Sequence, residues 1–459
     1  MTAEEYYRQR DDRTLRCTAT PAYQTKSCAM VADHAMAATH AGQVMVIAAA
    51  DLMARWCRTV HLDLADVPLV PELRWMGDSL RRTIEHRMRA VDPFGSFTFI
   101  GGATAELRLV LGRRECGAAP RQTVVDASGW VAVVGRSTLH VGTRAPGYPA
   151  AALCAATLGV AQVFRDAIGR HSPFGEGMLL DVFTLAAIES LDVGSTVAYP
   201  APQDVCKILC VGAGAVASCA LYSLAMLGMQ VDVSCVDKDV LKVLNLSRSP
   251  TAVLADVTAT KVEALARALR GSSVRVEPHP MWWREYAATM NDRQGQFDVW
   301  LPLANEHGVR PDMQAAAPPL MVQGSTSANW SASFGRHIPR RDDCLVERFP
   351  AQSLATLACA TTTVEVAPEI RVDAALPFLS LMAGALIAFD FVRMTMPDYP
   401  QVANLAVFDF EASQMNPHVL GRRPTPDCPY CRNSVAPLVR RDTRYAYLMH
   451  DAVLAGCES

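Results

Sequence analysis

Asp237, Asp239, Asn245, Arg248 and Lys261 crowd into one short stretch of this chain. Two carboxylates, an amide and two cations at that spacing suit a site that holds a polyphosphate while negative charge builds on it, since fixed cations aimed at developing charge need no reorganisation. Only five of the 43 basic residues are lysines (Lys26, Lys207, Lys238, Lys242 and Lys261), so a lysine in this company is informative. Just upstream, an apolar run, Ile208 to Val211, enters the turn Gly212-Ala-Gly214-Ala-Val-Ala217 and a helical stretch to Gly228. That is a strand, a tight turn and a helix start whose free N–H groups favour an anion. A second apolar run, Val231 to Val236, ends on Asp237, where a carboxylate can accept bonds from ribose hydroxyls. The glycine turn alone also fits a nicotinamide dinucleotide. A dehydrogenase, however, needs none of Asn245, Arg248 and Lys261.

Positioning these groups takes an α/β framework. Strand candidates Ile208–Val211, Val231–Val236, Val274–Val276 and Val299–Leu303 alternate with helical stretches Ala215–Leu227, Thr260–Leu269 and Trp282–Met290, which predicts a parallel sheet. Leu320–Gln323, Trp330–Phe334 and Val407–Phe410 read as further strands, and Ala374–Val392 as a helix rich in small residues. The first 200 residues repeat the plan faintly: Gln43–Ala49 as strand, Asp51–Cys57 as helix, Val60–Leu64 as strand, with Ala-Ala-Ala-Asp where glycines would let a phosphate approach. A second small-residue helix, Ala145 to Phe164, echoes Ala374–Val392. The expected architecture is therefore α/β, a Rossmann-like domain with a degenerate pseudo-repeat of it at the N-terminus. An unrelated α/β domain in the first half is the alternative. The boundaries read as 1–200, 201–435 and a tail, 436–459.

Composition narrows the class. Half of the 459 residues are apolar, 19% are charged and the net charge is −3, without the basic excess of a nucleic-acid binder. The polar start lacks the apolar core of a signal peptide, and the apolar stretch Ala374–Phe389 is short for a bilayer and flanked by Asp373 and Asp390. A cytoplasmic protein with no membrane and no nucleic-acid partner is expected, its 14 cysteines mostly reduced core thiols.

The second half resembles the superfamily of ubiquitin-activating enzymes and the ThiF–MoeB-type adenylyltransferases of thiamine and molybdopterin synthesis. That family carries Gly-x-Gly-x-x-Gly, then Asp-x-Asp-x-Val-x-x-x-Asn-Leu-x-Arg, then Thr-Lys. Here the last two read Asp237-Lys-Asp239-Val-Leu-Lys-Val-Leu-Asn245-Leu-Ser-Arg248 and Thr260-Lys261, in register. The resemblance implies ATP as cofactor, with Asp237 on the ribose, Asn245, Arg248 and Lys261 on the phosphates, and Gly212 and Gly214 against the nucleotide. It further implies Mg2+ at an aspartate, a position filled here by Asn305, an uncharged oxygen ligand that Asp239 or Glu306 would assist.

Cysteines extend the resemblance. Cys344 with Glu347, and Cys428 with Cys431, occupy the places of two Cys-x-x-Cys pairs that hold a structural Zn2+ in the family, Glu347 standing for a cysteine. A pair of free thiols is the alternative, and Cys428-Pro-Tyr-Cys431 also resembles a glutaredoxin motif. Cys359 takes the place of the cysteine that captures the activated acyl group as a thioester, or is buried packing. Near the N-terminus, Tyr6-Tyr7-Arg8-Gln9 resembles an Arg-Tyr-x-Arg-Gln element whose last arginine reaches the γ-phosphate of the opposite domain, which implies that role for Arg8. The chain as a whole is most similar to bacterial activating enzymes for ubiquitin-like proteins. That implies adenylation of the partner's C-terminal carboxylate, a thioester on Cys359, transfer to a conjugating enzyme, and allows a homodimer. Three alternatives stay open: a sulfur-carrier or peptide adenylyltransferase without conjugation, a nicotinamide-dependent oxidoreductase, and a non-enzymatic pseudo-adenylase scaffold.

Overall fold

The computed structural model describes residues 1–420 apart from 19, 101–104, 115–120, 138–145, 171–176, 201–205, 291–295, 305–307, 317, 328, 339–341, 346–375 and 397–402. In the first half, β1 (Ser27–Ala32), β2 (Thr59–Asp63), β3 (Ser96–Phe99), β4 (Leu107–Leu111), β5 (Arg121–Ser128), β6 (Val131–Gly135), β7 (Gly177–Asp181) and β8 (Ala186–Ile188) form a sheet ordered β3-β2-β1-β4-β5-β6-β7-β8. In the second, β9 (Cys206–Val211), β10 (Val231–Val236), β11 (Val274–His279), β12 (Val299–Pro302), β13 (Met321–Thr326), β14 (Ser331–His337), β15 (Leu405–Asp409) and β16 (Gln414–His418) form a sheet ordered β11-β10-β9-β12-β13-β14-β15-β16. The order is the same in both. So is the sense, parallel through β5 and through β13, then antiparallel to the edge. The expected pseudo-repeat is present.

The helices are α1 (Ala3–Arg10), α2 (Asp12–Thr18), α3 (His34–Ala37), α4 (His40–Met53), α5 (Leu80–Val91), α6 (Pro149–Ala167), α7 (Ala215–Met226), α8 (Lys261–Ala268), α9 (Trp283–Thr289), α10 (Val309–Ala315) and α11 (Pro377–Met394). Continuous apolar runs such as Ile208–Val211 become strands because a parallel sheet is covered on both faces. Gln43–Ala49 is a different case. It reads as a strand but lies inside α4, capped by the Thr39 hydroxyl, which accepts a bond from Gly42 N–H at 3.0 Å. Every residue from Ala41 to Met53 is buried, and an apolar run without a polar face looks alike in an enclosed helix and a covered strand. The first strand of this half is β1 instead.

The two small-residue helices occupy equivalent places. α6 packs on α4, α11 packs on α7, and α6 and α11 meet each other at the centre of the molecule. Both open on a proline, a residue pre-set for the first helical turn. α11 is 18 residues long and apolar enough to cross a membrane, yet it is wholly buried within the fold. Small side chains let the α7–α11 pair close up: a Cβ on Gly384 would lie 2.4 Å from Ala220 N and 2.5 Å from the Cys219 carbonyl carbon. Gly384→Val is therefore expected to destabilise by about 1–3 kcal/mol through overpacking against backbone. A lowered midpoint of thermal unfolding would show it.

Polar bonds tie the halves as well. Asp51 on α4 takes both Arg87 of α5, at 2.7 to 3.1 Å, and the Tyr222 hydroxyl of α7, at 2.7 Å. Arg55, also from the first half, donates to the carbonyls of Leu246 and Ala252 in the loop that carries Asn245 and Arg248. The first half thus holds the second half's candidate phosphate loop in place.

Candidate nucleotide site

A cleft of about 510 Å³ opens at the C-terminal ends of β9 and β10. Crevices at that end of an open α/β sheet, where strand order reverses around the first strand, are where such folds bind ligands. Its walls include Gly212, Gly214, Asp237, Asp239, Asn245, Arg248 and Lys261. Residues drawn from three separate segments thus face one space.

The turn is built around Gly212, whose N–H donates to Val236 O at 2.8 Å while φ sits at +98°. A Cβ there would meet Ala304 N at 2.5 Å, so only glycine fits both the torsion and the contact. Gly214 differs: its Cβ would meet nothing within 4 Å, so it leaves open room at the start of α7. That room is what close approach of a phosphate to the helix N-terminus requires. Ala217, the third position of the turn, is buried in α7.

Asp237 is pre-oriented. One carboxylate oxygen accepts from Ala213 N–H at 2.7 Å and the other from Asp239 N–H at 2.8 Å, which locks the end of β10 to the glycine turn. Lys261 opens α8, capped by Thr260, and its ammonium lies 2.6 Å from Asp239 and 3.8 Å from Asp237. Partial burial works to raise the Asp239 carboxyl, but Lys261 and then Lys238 outweigh it and hold the group below the ordinary carboxylate range. Asn245 sits in the turn Val243–Asn245 with its amide oxygen accepting Lys242 N–H at 2.8 Å. Arg248 follows in the same loop, only 8% exposed.

One cation comes from elsewhere. Arg13, on α2 of the first half, lines the cleft. Arg8, picked from its motif, is exposed on α1 and is not among the lining residues. The helices break at Asp11, and what sets the break is tertiary. Arg10 is buried between Asp11, at 2.7 Å, and Asp92, at 2.5 Å, while Arg58 bonds Asp11 at 2.9 Å and stacks 3.9 Å from the centre of the Tyr7 ring. Tyr6 packs among Leu241, Val243 and Leu246 of the second half. This clamp seats α1 on the phosphate loop and turns α2 toward the cleft. No local motif marks Arg13, which is why sequence reading passes over it.

The equivalent turn in the first half, Ala32-Asp33-His34-Ala35, has no glycine. There the strand β1 leads into Asp33 and α3, and Arg114 fills the end of β2, 2.9 Å from Asp63 and 3.3 Å from Ala32 O. An ion pair thus stands at the end of β2, the counterpart of β10.

Asn305, Glu306, Glu347, Cys359, Cys428 and Cys431 lie outside the described residues. Cys344 is buried and takes a bond from the Gln314 amide at 3.1 Å. Among the described residues no group of three or more His, Cys, Asp and Glu is placed to hold a metal.

Residues 204–430 match the ThiF family, and residues 27–176 match the BilD N-terminal domain. The second half of the chain is a ThiF family domain. The uncharacterized protein y4jF of Sinorhizobium fredii (strain NBRC 101917 / NGR234) is 28% identical over 205 residues, 44% of this chain and 37% of that protein. Solved structures of E. coli MccB are also similar. The one with ATP is 18% identical over 49% of this chain and 66% of that one, with a TM-score of 0.38. The one with AMPCPP and selenomethionine MccA is 16% identical over 48% and 65%, with a TM-score of 0.37. The chain therefore spans just under two thirds of these MccB chains and little over a third of y4jF. Apart from Arg13, the residues that line the cleft belong to the ThiF domain.

Proposed function

We propose that this chain is a cytosolic ATP-dependent activating enzyme for a ubiquitin-like protein. The observation that carries the reading is the convergence of Arg248, Lys261 and, from the other half, Arg13 on one cleft floored by the Gly212–Gly214 turn. These cations around an anion-seeking turn, with Lys238 and Lys242 also lining the cleft, suit a triphosphate far better than they suit a dinucleotide's single pyrophosphate. In this reading Asp237 accepts from the ribose hydroxyls, Gly214 gives the phosphates access to the α7 N-terminus, and Asn245 steadies the loop with its amide. ATP, when bound with Mg2+, supplies an α-phosphorus open to attack. Asp239, at 51% side-chain exposure, is the group best placed to meet the hydrated ion, with Asn305 proposed beside it.

A carboxylate oxygen at the partner's C-terminus would form a bond to the α-phosphorus as the bond to the bridging oxygen of pyrophosphate breaks. Arg13, Arg248 and Lys261 would hold the charge that gathers on the leaving pyrophosphate. The Cys359 thiolate would then attack the acyl carbon, forming the thioester and releasing AMP, before handing the acyl group to a conjugating enzyme. A structural Zn2+ at Cys344, Glu347, Cys428 and Cys431 belongs to the same proposal, as do boundaries at 200 and 435.

The test uses the full chain with a panel of ubiquitin-like proteins that end in glycine. Radiolabelled pyrophosphate should exchange into ATP only when a cognate partner is present, and a thiol-sensitive adduct should appear on non-reducing gels. Cys359→Ala should abolish the adduct and leave exchange intact. Robust exchange without any adduct would instead make the chain an adenylyltransferase that stops at the acyl-adenylate. No exchange with any partner would leave a scaffold.

A further inference from the structure

Residues 246–252, the loop that carries Arg248, run through the interior in neither helix nor strand. A loop so enclosed must find partners for its backbone groups elsewhere in the fold. Here alternate carbonyls are taken by side chains. Arg55 donates to Leu246 O, and to Ala252 O at 3.4 and 3.5 Å. Between them the Cys219 thiol donates to Arg248 O at 3.7 Å, and Arg87 to Pro250 O at 3.3 Å. Thr251 shares a hydrogen bond of 2.7 Å with Ser218 of α7.

Two of these donors are arginines from the first half, and they are not alike. Arg87 is paired, its guanidinium meeting both oxygens of Asp51. Arg55 is 1% exposed, and among the described residues its bonds go to carbonyls alone. Asp51 lies near enough to favour its charge but is already bonded to Arg87 and Tyr222. Burying a cation without a carboxylate bonded to it is unfavourable, and a neutral amide could satisfy a carbonyl with less desolvation. What a guanidinium adds is a rigid planar fork. It grips the carbonyls on both sides of Arg248, so the backbone that carries that cation is held along either flank.

We infer that Arg55 is a positioning residue of the nucleotide cleft and acts through Arg248, its fork holding the loop where the Arg248 guanidinium meets a polyphosphate. The inference rests on the nucleotide reading of the ThiF cleft. Arg55 itself does not line the cleft, so its contribution to phosphate binding should vanish once Arg248 is gone.

Calorimetric titration of the full chain with inorganic tripolyphosphate, arranged as a double-mutant cycle, tests this. Arg248→Ala is expected to weaken binding about tenfold, the part of its contact made before any reaction, and Arg55→Met about as much. The double variant should also lose only about tenfold. Arg55→Lys keeps the charge but has no fork to span two carbonyls, and is expected to weaken binding about three- to tenfold. It takes the place of Arg55→Met in the cycle should that variant not fold. A double variant weakened about a hundredfold, the product of independent losses, would overturn the inference. So would wild-type affinity in Arg248→Ala or in either Arg55 variant. A chain that folds with neither substitution at Arg55 would overturn it too, since the fork would then serve stability alone. Failure of the wild type to bind either tripolyphosphate or ATP would instead sink the nucleotide reading itself.

Discussion

Arg248→Ala and Lys261→Ala are each expected to lower partner-dependent ATP–pyrophosphate exchange by about 10²–10³-fold, the usual cost of removing one fixed donor from developing charge. The two should fail differently. Arg248 is 8% exposed and sits in the loop whose carbonyls Arg55 holds, so its guanidinium is already aimed and its loss should fall on kcat. Lys261 is held 2.6 Å from Asp239 in this structure, and a polyphosphate must draw the ammonium off that carboxylate. Asp239→Asn should free the lysine but also remove the charge proposed to meet Mg2+, so exchange should fall and recover in part as Mg2+ is raised. Steady-state exchange at saturating ATP reads all three. Exchange that survives Arg248→Ala undiminished would count against transition-state contact and toward a nucleotide held for some other purpose.

The second large effect concerns the first half. Arg13→Ala is expected to reduce exchange by about 10²-fold, while Arg8→Ala, exposed on α1, leaves it near wild type. The contrast is diagnostic because both arginines lie on the same N-terminal segment and differ only in which way the bend at Asp11 turns them. Arg13→Lys should recover part of the rate, since a point charge replaces the fork of donors without its geometry. Should Arg8→Ala prove the damaging change, α1 would have to seat differently over the loop at Leu241, Val243 and Leu246 when nucleotide binds.

Much of the second half is legible along the chain. β10 begins and ends where its apolar run does, and α7 starts at Ala215 just after the glycine turn. These elements are legible because their signals are local: an apolar run closed by glycine, a proline opening a helix, a threonine ahead of Lys261. The first half is harder. α4 is buried from Ala41 to Met53 beneath α6 and α5, and periodicity cannot tell such an enclosed, mostly apolar helix from a strand. The phosphate-loop position there is Asp33, not the Ala-Ala-Ala-Asp run inside α4.

What the sequence by itself determined is which groups stand at which intervals: Gly212, Asp237, Asn245, Arg248 and Lys261, all within the ThiF domain, which line one cleft. Spacing suffices because each residue sits at a strand end, a turn or a helix start that local rules place. The tertiary structure decided which groups from elsewhere join them. Arg13 enters because a buried Arg10–Asp92 pair and a packed Tyr6 bend the N-terminus over the cleft, and Arg55 because the end of α4 lies against the loop at Leu246 and Ala252. Neither follows from nearest neighbours in the chain, for both depend on contacts between residues far apart in it.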